Sequence, residues 1–339
     1  GTLNASNLVT PNDLQVGRII IAGKEVIHSG LLDVSSTSGR GGHIDLLGEQ
    51  VGMTENGIIN ANGDQGGGTI RIGSSSQGEG IDTINAEAVY IGENTQVTAN
   101  AGIAGNGGGI VIGSENTIRY FGNIETMGGS SNGNGGSINI SAREQLVFNG
   151  NVNSIAAVGE VGVLILEAHS LAVIADGGSI LVDGGMDFSE ASESNLTAST
   201  VSQLLDASAV KLNASNHISF DSIIESDSVN SLKIVSANTI NINSAINIAG
   251  LLRLETGVIN LSGLAGLNAS TAEISASQLM GSGDINIVNI LNLSEVDDMA
   301  NFNGVITATG PSGHLIANNN NSVDLVSNLN AFNVLSTEF

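Results

Sequence analysis

Short stretches of alternating hydrophobic and polar residues recur along the chain. Four of them share one form, a glycine pair followed by an alternating segment, and a fifth, weaker copy follows. The equivalent hydrophobic positions are Ile44, Ile70, Ile110, Ile138 and Leu164. Their spacings are 26, 40, 28 and 26 residues. Self-similarity of this length is typical of a solenoid, in which each repeat buries its hydrophobic face by stacking on its neighbours.

Two more alternating segments accompany each copy. One has its hydrophobic residue at Leu32, Ile59, Val97, Ile124, Val152 and Ile180. The other carries the pairs Val51/Met53, Val89/Ile91, Ile118/Tyr120, Leu146/Phe148 and Leu171/Val173. Period-two alternation with Gly, Asn and Ser between the segments predicts three short strands per coil. The predicted fold is all-β, a parallel β-helix, with the right-handed coiling that crossover sterics favour.

The repeat changes length along the chain. Coils of about 26 residues are predicted over 1–188, and a continuing section with coils of about 20–22 residues over 189–339. In the second section, the hydrophobic positions Val210 and Ile218 recur 22 residues later as Leu232 and Ile240. At the spacing of stacked strands, about a dozen coils would form a rod of roughly 60 Å.

Three segments interrupt the repeat. The long 40-residue spacing contains an extra segment, 74–88, which we expect to protrude as a loop. The excursion 186–209 ends in hydrophobic residues at helical spacing, which predicts a short helix over 198–206. We also expect a helical excursion at 294–303.

Stacked coils predict ladders of like side chains. Tyr120 and Phe148 occupy equivalent positions one coil apart, so we expect an internal aromatic stack. Asn241, Asn243 and Asn247 are expected to form asparagine ladders between coils. The structural corners are assigned to Gly42, Gly68, Gly108 and Gly136, where we expect φ > 0 and a clash with any Cβ.

Composition narrows the function classes. The chain has 46 glycines, two prolines and no cysteine, which excludes disulfides and cysteine nucleophiles. Its net charge of −24 repels nucleic-acid phosphates and anionic membrane surfaces. No apolar run reaches the length of a membrane span, and the five histidines lack metal-ligand spacing. We therefore expect no nucleic-acid partner, membrane span, metal or cofactor, and a monomer whose charge suppresses self-association.

Several motifs also carry a family resemblance. The segments 57–63, 66–73, 117–124 and 133–141 resemble the repeat region of large two-partner-secretion exoproteins, the group of filamentous haemagglutinin and the high-molecular-weight adhesins. The resemblance is strongest over 30–166. It implies an internal segment of an adhesin, secreted or held at the surface of a Gram-negative-type bacterium. It also implies export by an outer-membrane partner acting on a region outside this chain, and a role in attachment, biofilm formation and virulence.

The resemblance does not specify the ligand, which we expect to be a host-cell receptor or a surface or matrix glycan. Loops on a rigid scaffold usually provide specificity, so binding is expected at 74–88 and 186–209. The candidate binding residues are Ser75, Gln77, Glu79, Asp82, Asp187, Glu190 and Glu193.

An enzyme remains an alternative, because parallel β-helices also host polysaccharide lyases and hydrolases. The best acidic cluster is Asp176, Asp183 and Asp187, and glycoside hydrolysis needs two carboxylates at a set separation. Repeated Asp-Gly-Gly is more typical of turns in which the carboxylate accepts backbone N–H groups. A calcium ion there would need further oxygen ligands. We therefore expect no catalytic residue. The remaining alternative is a pure spacer in a larger exoprotein, of the haemopexin-binding or contact-dependent toxin type.

Overall fold

The computed structural model describes residues 2–5, 17–73, 85–177, 185–189, 194–308, 310, 313–317, 329–330 and 333–336. The chain forms two compact units. The first comprises Gly1–Ala168, Ile180–Ser194 and Ala207–Ala209, and the second His169–Ser179, Asn195–Asp206 and Val210–Phe339. Parallel strand pairing between successive coils builds both units, which confirms the predicted all-β, parallel β-helix class.

Three strand types repeat in order along the first unit. The first type carries the glycine-pair column of Ile44, the second type the column of Val51, and the third type the column of Leu32. Its strands are β1 (Thr2–Asn4), β2 (Arg18–His28), β3 (Leu31–Asp33), β4 (His43–Met53), β5 (Ile58–Asn60), β6 (Thr69–Gly73), β7 (Ala88–Ile91), β8 (Gln96–Thr98), β9 (Gly109–Ser114), β10 (Thr117–Tyr120), β11 (Asn123–Glu125), β12 (Ser137–Ala142), β13 (Gln145–Phe148), β14 (Asn151–Asn153) and β15 (Val163–Ala168). In β2 and β4 the first and second strand types run together as one long strand.

The hydrophobic columns of the first unit follow the predicted repeat. Ile44 pairs with Ile70, and the column continues upward through the predicted positions to Leu164. Ile19 extends it one coil below. A second column begins at Val26 and Val51 and reaches Leu146. These side chains are almost completely buried, so the inward half of each alternating segment forms the core.

The third strand type forms a separate six-stranded parallel sheet of three-residue strands, in the order β1-β3-β5-β8-β11-β14. Its middle residues point inward as predicted, from Leu32 to Val152. The flanking residues of each strand are therefore left on the outside. Ile180, the last predicted member of this column, lies outside the described residues.

The corner glycines are where the sequence places them; the expected Cβ clash is confirmed, and the expected positive φ is wrong. Gly42, Gly68, Gly108 and Gly136 lie directly before first-type strands, and none has positive φ. A Cβ on Gly68, Gly108 or Gly136 would instead overlap the carbonyl oxygen of the equivalent glycine one coil away, and one on Gly42 would overlap that of Gly17. Close approach of the stacked backbones therefore requires glycine here, while positive φ occurs elsewhere, at Gly66 and Gly105 for example.

The second unit repeats the same plan with shorter coils. Its elements are β16 (Leu171–Ile174), β17 (Asn195–Thr197), α1 (Ala198–Ala207), β18 (Ala209–Ala214), β19 (His217–Phe220), β20 (Ile224–Ser226), β21 (Leu232–Ser236), β22 (Thr239–Ile242), β23 (Ile246–Ile248), β24 (Leu251–Leu261), β25 (Gly266–Gly281), β26 (Asp284–Asp298), β27 (Ile306–Ala308), β28 (His314–Ala317), β29 (Leu329–Asn330) and β30 (Asn333–Ser336). Leu171 and Val173 pair with Ile218 and Phe220.

The 22-residue repeat is confirmed by strand register. Val210 pairs with Leu232, and Ile218 with Ile240. The coil formed by β25 has no glycine-pair motif and many alanines, and the sequence pattern did not reveal it. It pairs with β24 along ten residues and is in turn covered by β26.

Helix α1 confirms the predicted helix. Thr197 caps it, since its hydroxyl accepts the backbone N–H of Thr200 at 3.2 Å. Asp176 accepts the N–H of Ser199, also at 3.2 Å. The buried face consists of Ala198, Thr200, Val201, Leu204 and Leu205, spaced as one stripe of a helix.

The helical excursion expected at 294–303 is wrong. Strand β26 continues to Asp298, and a turn follows. Glu295 pairs with Ser275, and Val296 pairs with Ala276 and is fully buried. Pairing with β25 provides backbone hydrogen bonds and a buried position for Val296, which outweighs the helical preference of this short polar segment.

Candidate functional site

Most of the candidate binding residues lie outside the described part of the chain. These are Ser75, Gln77, Glu79, Asp82, Glu190 and Glu193. Within the predicted loop 74–88, Ala88 already belongs to β7 and Ala86 is fully buried. Asp183 of the acidic cluster also lies outside the described residues, and Asp176 is engaged with the first turn of α1.

Asp187 lies on a strap, residues 185–189, which crosses the outer face of the second-type strands. Its carboxylate is 3.3 Å from Arg119 Nη2 and accepts two hydrogen bonds from Ser189, which lower its pKa together with Arg119. Phe188 packs on a small outer cluster formed by Tyr90, Phe121 and Val147. The structure thus places Asp187 in contacts that fasten this strap, while its predicted binding role stays a prediction.

A groove of about 730 Å³ lies on the outer face of the third-type strands of the second unit. Its floor is a column of polar residues in register: Glu225 pairs with Asn247, Asn247 with Asn268, and Asn268 with Asn286. We call this the amide groove. The neighbouring residues of each strand, such as Ile246 and Leu267, point into the core, so the alternation of the strand directs the amides outward.

The side-chain amides form a hydrogen-bonded ladder. Asn268 Nδ2 donates to Asn247 Oδ1 at 2.6 Å, and Asn286 Nδ2 donates to Asn268 Oδ1 at 3.0 Å. The predicted ladder is therefore confirmed for Asn247. It is also confirmed for Asn241, whose oxygen accepts from Asn260 at 2.8 Å. Asn243 donates to Asp221 instead.

Small residues form one side of the amide groove. Ala249 and Ser270 each lie two residues after a ladder asparagine, and Asp227 and Val288 occupy the equivalent positions in the coils before and after them. Short side chains here leave the space above the amides open. Two carboxylates, Glu225 and Asp227, stand at one end of the groove and are exposed.

The first unit has a similar polar face on the same strand type. A concavity of about 170 Å³ is lined by Gln96, Thr98, Asn123, Ile124, Glu125, Asn151, Val152 and Asn153. Asn151 Nδ2 donates to Asn123 Oδ1 at 3.0 Å. Each unit therefore carries in-register amides on the outside of its third-type strands.

A buried ion cluster lies on first-type strands of the first unit. Asp45 points outward, yet its side chain is only 1% exposed. Its oxygens lie 2.7 Å from Arg71 Nε and 2.7 Å from His43 Nε2, and Arg18 Nη2 lies 3.4 Å away. Burial tends to raise the pKa of Asp45, but the Arg71 guanidinium and His43 outweigh it and hold that pKa below its usual range.

The Asp45 cluster predicts a pH-dependent contribution to stability. Because the folded-state pKa is depressed, the contribution is present above the unfolded-state value of about 3.9 and is lost as pH falls through the folded-state value. We expect Asp45→Asn to lower the free energy of unfolding by about 1–3 kcal/mol at pH 7, with wild type and variant converging at the acid end. Urea titrations at several pH values measure this, with exposed Asp297→Asn as the control. A difference that persists unchanged at the acid end would refute the electrostatic assignment.

Comparison with known proteins adds no family assignment: no protein-family model matches the chain, and no curated protein matches it. In the described ranges, no helix has the length and apolar character needed to cross a membrane. In the same ranges, no group of three or more His, Asp or Glu side chains is arranged to hold a metal ion.

Sequence reasoning identified the asparagine ladders but assigned them only a structural role. The signal for a groove was present, since Asn247, Asn268 and Asn286 recur at spacings of 21 and 18 residues with small residues two positions later in the first two coils. This recurrence can be recognised only when the coil boundaries of β25 and β26 are known. The glycine-pair repeat does not mark those boundaries.

Proposed function

We propose that this chain is a non-catalytic attachment segment of an exported surface protein, and that it binds glycans or glycan-bearing receptors through outward-facing polar columns. The amide groove carries this proposal. It combines an open concavity, amides held in place by a ladder, and walls of small side chains on a scaffold fixed by buried columns. Preorganised hydrogen-bonding groups of this kind reduce the entropy cost of binding.

The chemistry of the amide groove favours binding over turnover. Its floor is made of side-chain amides, which neither release nor take up protons at neutral pH. Glycoside cleavage needs an acid and a base or nucleophile on opposite sides of the bond. The two carboxylates that line the groove, Glu225 and Asp227, belong to the same coil at one end of it.

The sequence resemblance supports the biological setting of the proposal. A two-partner-secretion adhesin would be exported through an outer-membrane partner and would display such columns at the surface of a Gram-negative-type bacterium. Attachment to host cells or to a biofilm matrix then follows from many weak contacts along the coils. The predicted loop 74–88 would add specificity of its own.

The test compares two tryptophan substitutions on a glycan array and in cell-binding assays. Ala249→Trp fills the amide groove without removing any amide. Ala237→Trp is its matched control, because both alanines are exposed, both lie at bends, and both donate their backbone N–H to the adjacent coil. We expect wild type and Ala237→Trp to bind the same glycans and Ala249→Trp to lose binding at least tenfold.

Three outcomes contradict the proposal in different ways. Binding unchanged in Ala249→Trp but lost on deletion of residues 75–84 would move the site to the predicted loop. No binding by the folded wild-type chain would indicate a spacer. Shortening of any offered polysaccharide, detected as new reducing ends or unsaturated products, would indicate an enzyme.

A further inference from the structure

We infer that the amide groove takes an uncharged linear polysaccharide laid along the ladder, with successive sugars opposite successive coils. This inference rests on the proposed attachment function and adds the ligand class and its direction.

The hydrogen-bond donors and acceptors that the ladder leaves unused indicate which chemical groups a ligand must carry. A side-chain amide has two N–H donors and an oxygen with two lone pairs. Asn268 uses one N–H toward Asn247 and one lone pair toward Asn286. One donor and one acceptor per such residue remain outside the ladder. A hydroxyl group both donates and accepts, so neighbouring hydroxyls of a sugar match this pair.

The repeat distance of the ladder favours a polymer over a single sugar. In-register parallel strands place equivalent residues about 4.8 Å apart. That distance is close to the advance of one pyranose ring in an extended chain. The ladder residues Asn247, Asn268 and Asn286 therefore each offer at least one donor and one acceptor to consecutive sugars.

The charges at the groove exclude acidic polysaccharides. Glu225 lies on the same column as the amides, one coil from Asn247, and Asp227 lies beside it. Among the described residues that line the groove none is Lys or Arg, and the whole chain carries a net charge of −24. A uronic-acid or sulfated chain would place its anions against these carboxylates, and within a Debye length of about 8 Å salt only partly screens this repulsion. A neutral chain pays no such cost.

The first arm of the test measures chain-length dependence by calorimetry, with β-1,4-linked glucose and mannose oligomers of two to six sugars. We expect affinity for at least one series to rise with each sugar up to about the length of the ladder and then level off. Asn268→Ala, at the centre of the ladder, is expected to weaken binding about fivefold to tenfold, which corresponds to a lost hydrogen bond or two. Asn260→Ala is the matched control, because it breaks an equivalent ladder outside the groove.

The second arm tests the charge argument with galacturonic-acid oligomers of the same lengths. We expect them to bind at least tenfold more weakly than the best neutral series. The double substitution Glu225→Gln with Asp227→Asn is expected to raise the affinity for the galacturonic-acid series relative to that for the best neutral series, so that the ratio between the two narrows.

The outcomes separate this inference from the function on which it rests. If Ala249→Trp abolishes binding on the array but every neutral oligomer fails to bind, or acidic oligomers bind more tightly, the ligand assignment is wrong and the attachment function stands. Equal affinity at all chain lengths would refute alignment along the ladder. Retention of array binding by Ala249→Trp would refute both the assignment and the site.

Discussion

Gly108→Ala is expected to lower the free energy of unfolding by about 3 kcal/mol or more, because the new methyl group has no space. A Cβ at this position would overlap the Gly68 carbonyl oxygen and lie 2.8 Å from Ala99 Cβ. Both are parts of the adjacent coil, so relief requires the coils to separate. Hydrogen exchange should show the loss locally, as weaker protection in β6 and β9, since each coil contacts only its neighbours.

The neighbouring residue provides the control. A Cβ on Gly109 would have only Ser137 Oγ, at 3.6 Å, within 4 Å, and Gly109 lacks positive φ. Gly109→Ala should therefore stay within about 1 kcal/mol of wild type, with a tendency to stabilise because alanine reduces the entropy of the unfolded chain. Equal destabilisation by both substitutions would refute the close stacking of the corner glycines.

The second large effect is expected at the buried aromatic stack. Phe148 and Tyr120 are fully buried, with ring centroids 5.3 Å apart and planes inclined by 8°. Phe148→Ala should cost about 3–5 kcal/mol, because it leaves a ring-sized cavity and removes the stacking partner of Tyr120. Urea unfolding midpoints with far-UV circular dichroism measure this loss.

Tyr120→Phe should act in the opposite direction. Within the described part of the chain, the Tyr120 hydroxyl has no hydrogen-bond partner, and burial raises its pKa. Removing a buried hydroxyl without a partner relieves its desolvation cost while the stack is kept, so we expect a gain of about 1 kcal/mol. A loss of stability in Tyr120→Phe would show that the hydroxyl has a partner, such as a buried water, and would contradict this description.

The alternating pattern was sufficient to predict the coils wherever glycine pairs mark them. Ile44, Ile70 and Ile110 stack as expected because a period-two pattern can bury its hydrophobic half in only one register. The pattern failed for β25, where alanines replace several of the large core residues and no glycine pair marks a corner. That coil is specified by pairing with its neighbours β24 and β26 rather than by local signals.

The sequence predicted both positive φ and a Cβ clash at the corner glycines, and it could not show that the clash alone applies. A glycine required for positive φ and one required for close backbone approach look identical in the chain. Only the stacking of the coils in the structure distinguishes Gly68, which faces the carbonyl of Gly42, from Gly66, which has a φ of 138°. The same limit applies to Asp45: alternation places it on the outward face, but the sequence does not show that Arg71 and His43 cover it there.

The candidate site was only partly predictable, for a related reason. Loops were expected to provide binding, while the amide groove formed on strands, from residues 18 to 21 positions apart in the sequence. Its width depends on the small side chains of Ala249 and Ser270, which carry no functional signal by themselves. A groove of this kind becomes visible only when the columns on the outer face are aligned.

Stacked coils require in-register columns of residues on the outer face, and paired spin labels test these columns most directly. The chain has no cysteine, so Asn123→Cys with Asn151→Cys provides two labels on adjacent strands, about 5 Å apart at the backbone. Gln96→Cys with Asn151→Cys is the matched pair, with β11 between the labelled strands. We predict strong spin exchange in the first pair and only weaker dipolar broadening in the second. Absent coupling in the first pair, or equal coupling in both, would contradict the in-register stacking of these outer columns in the first unit.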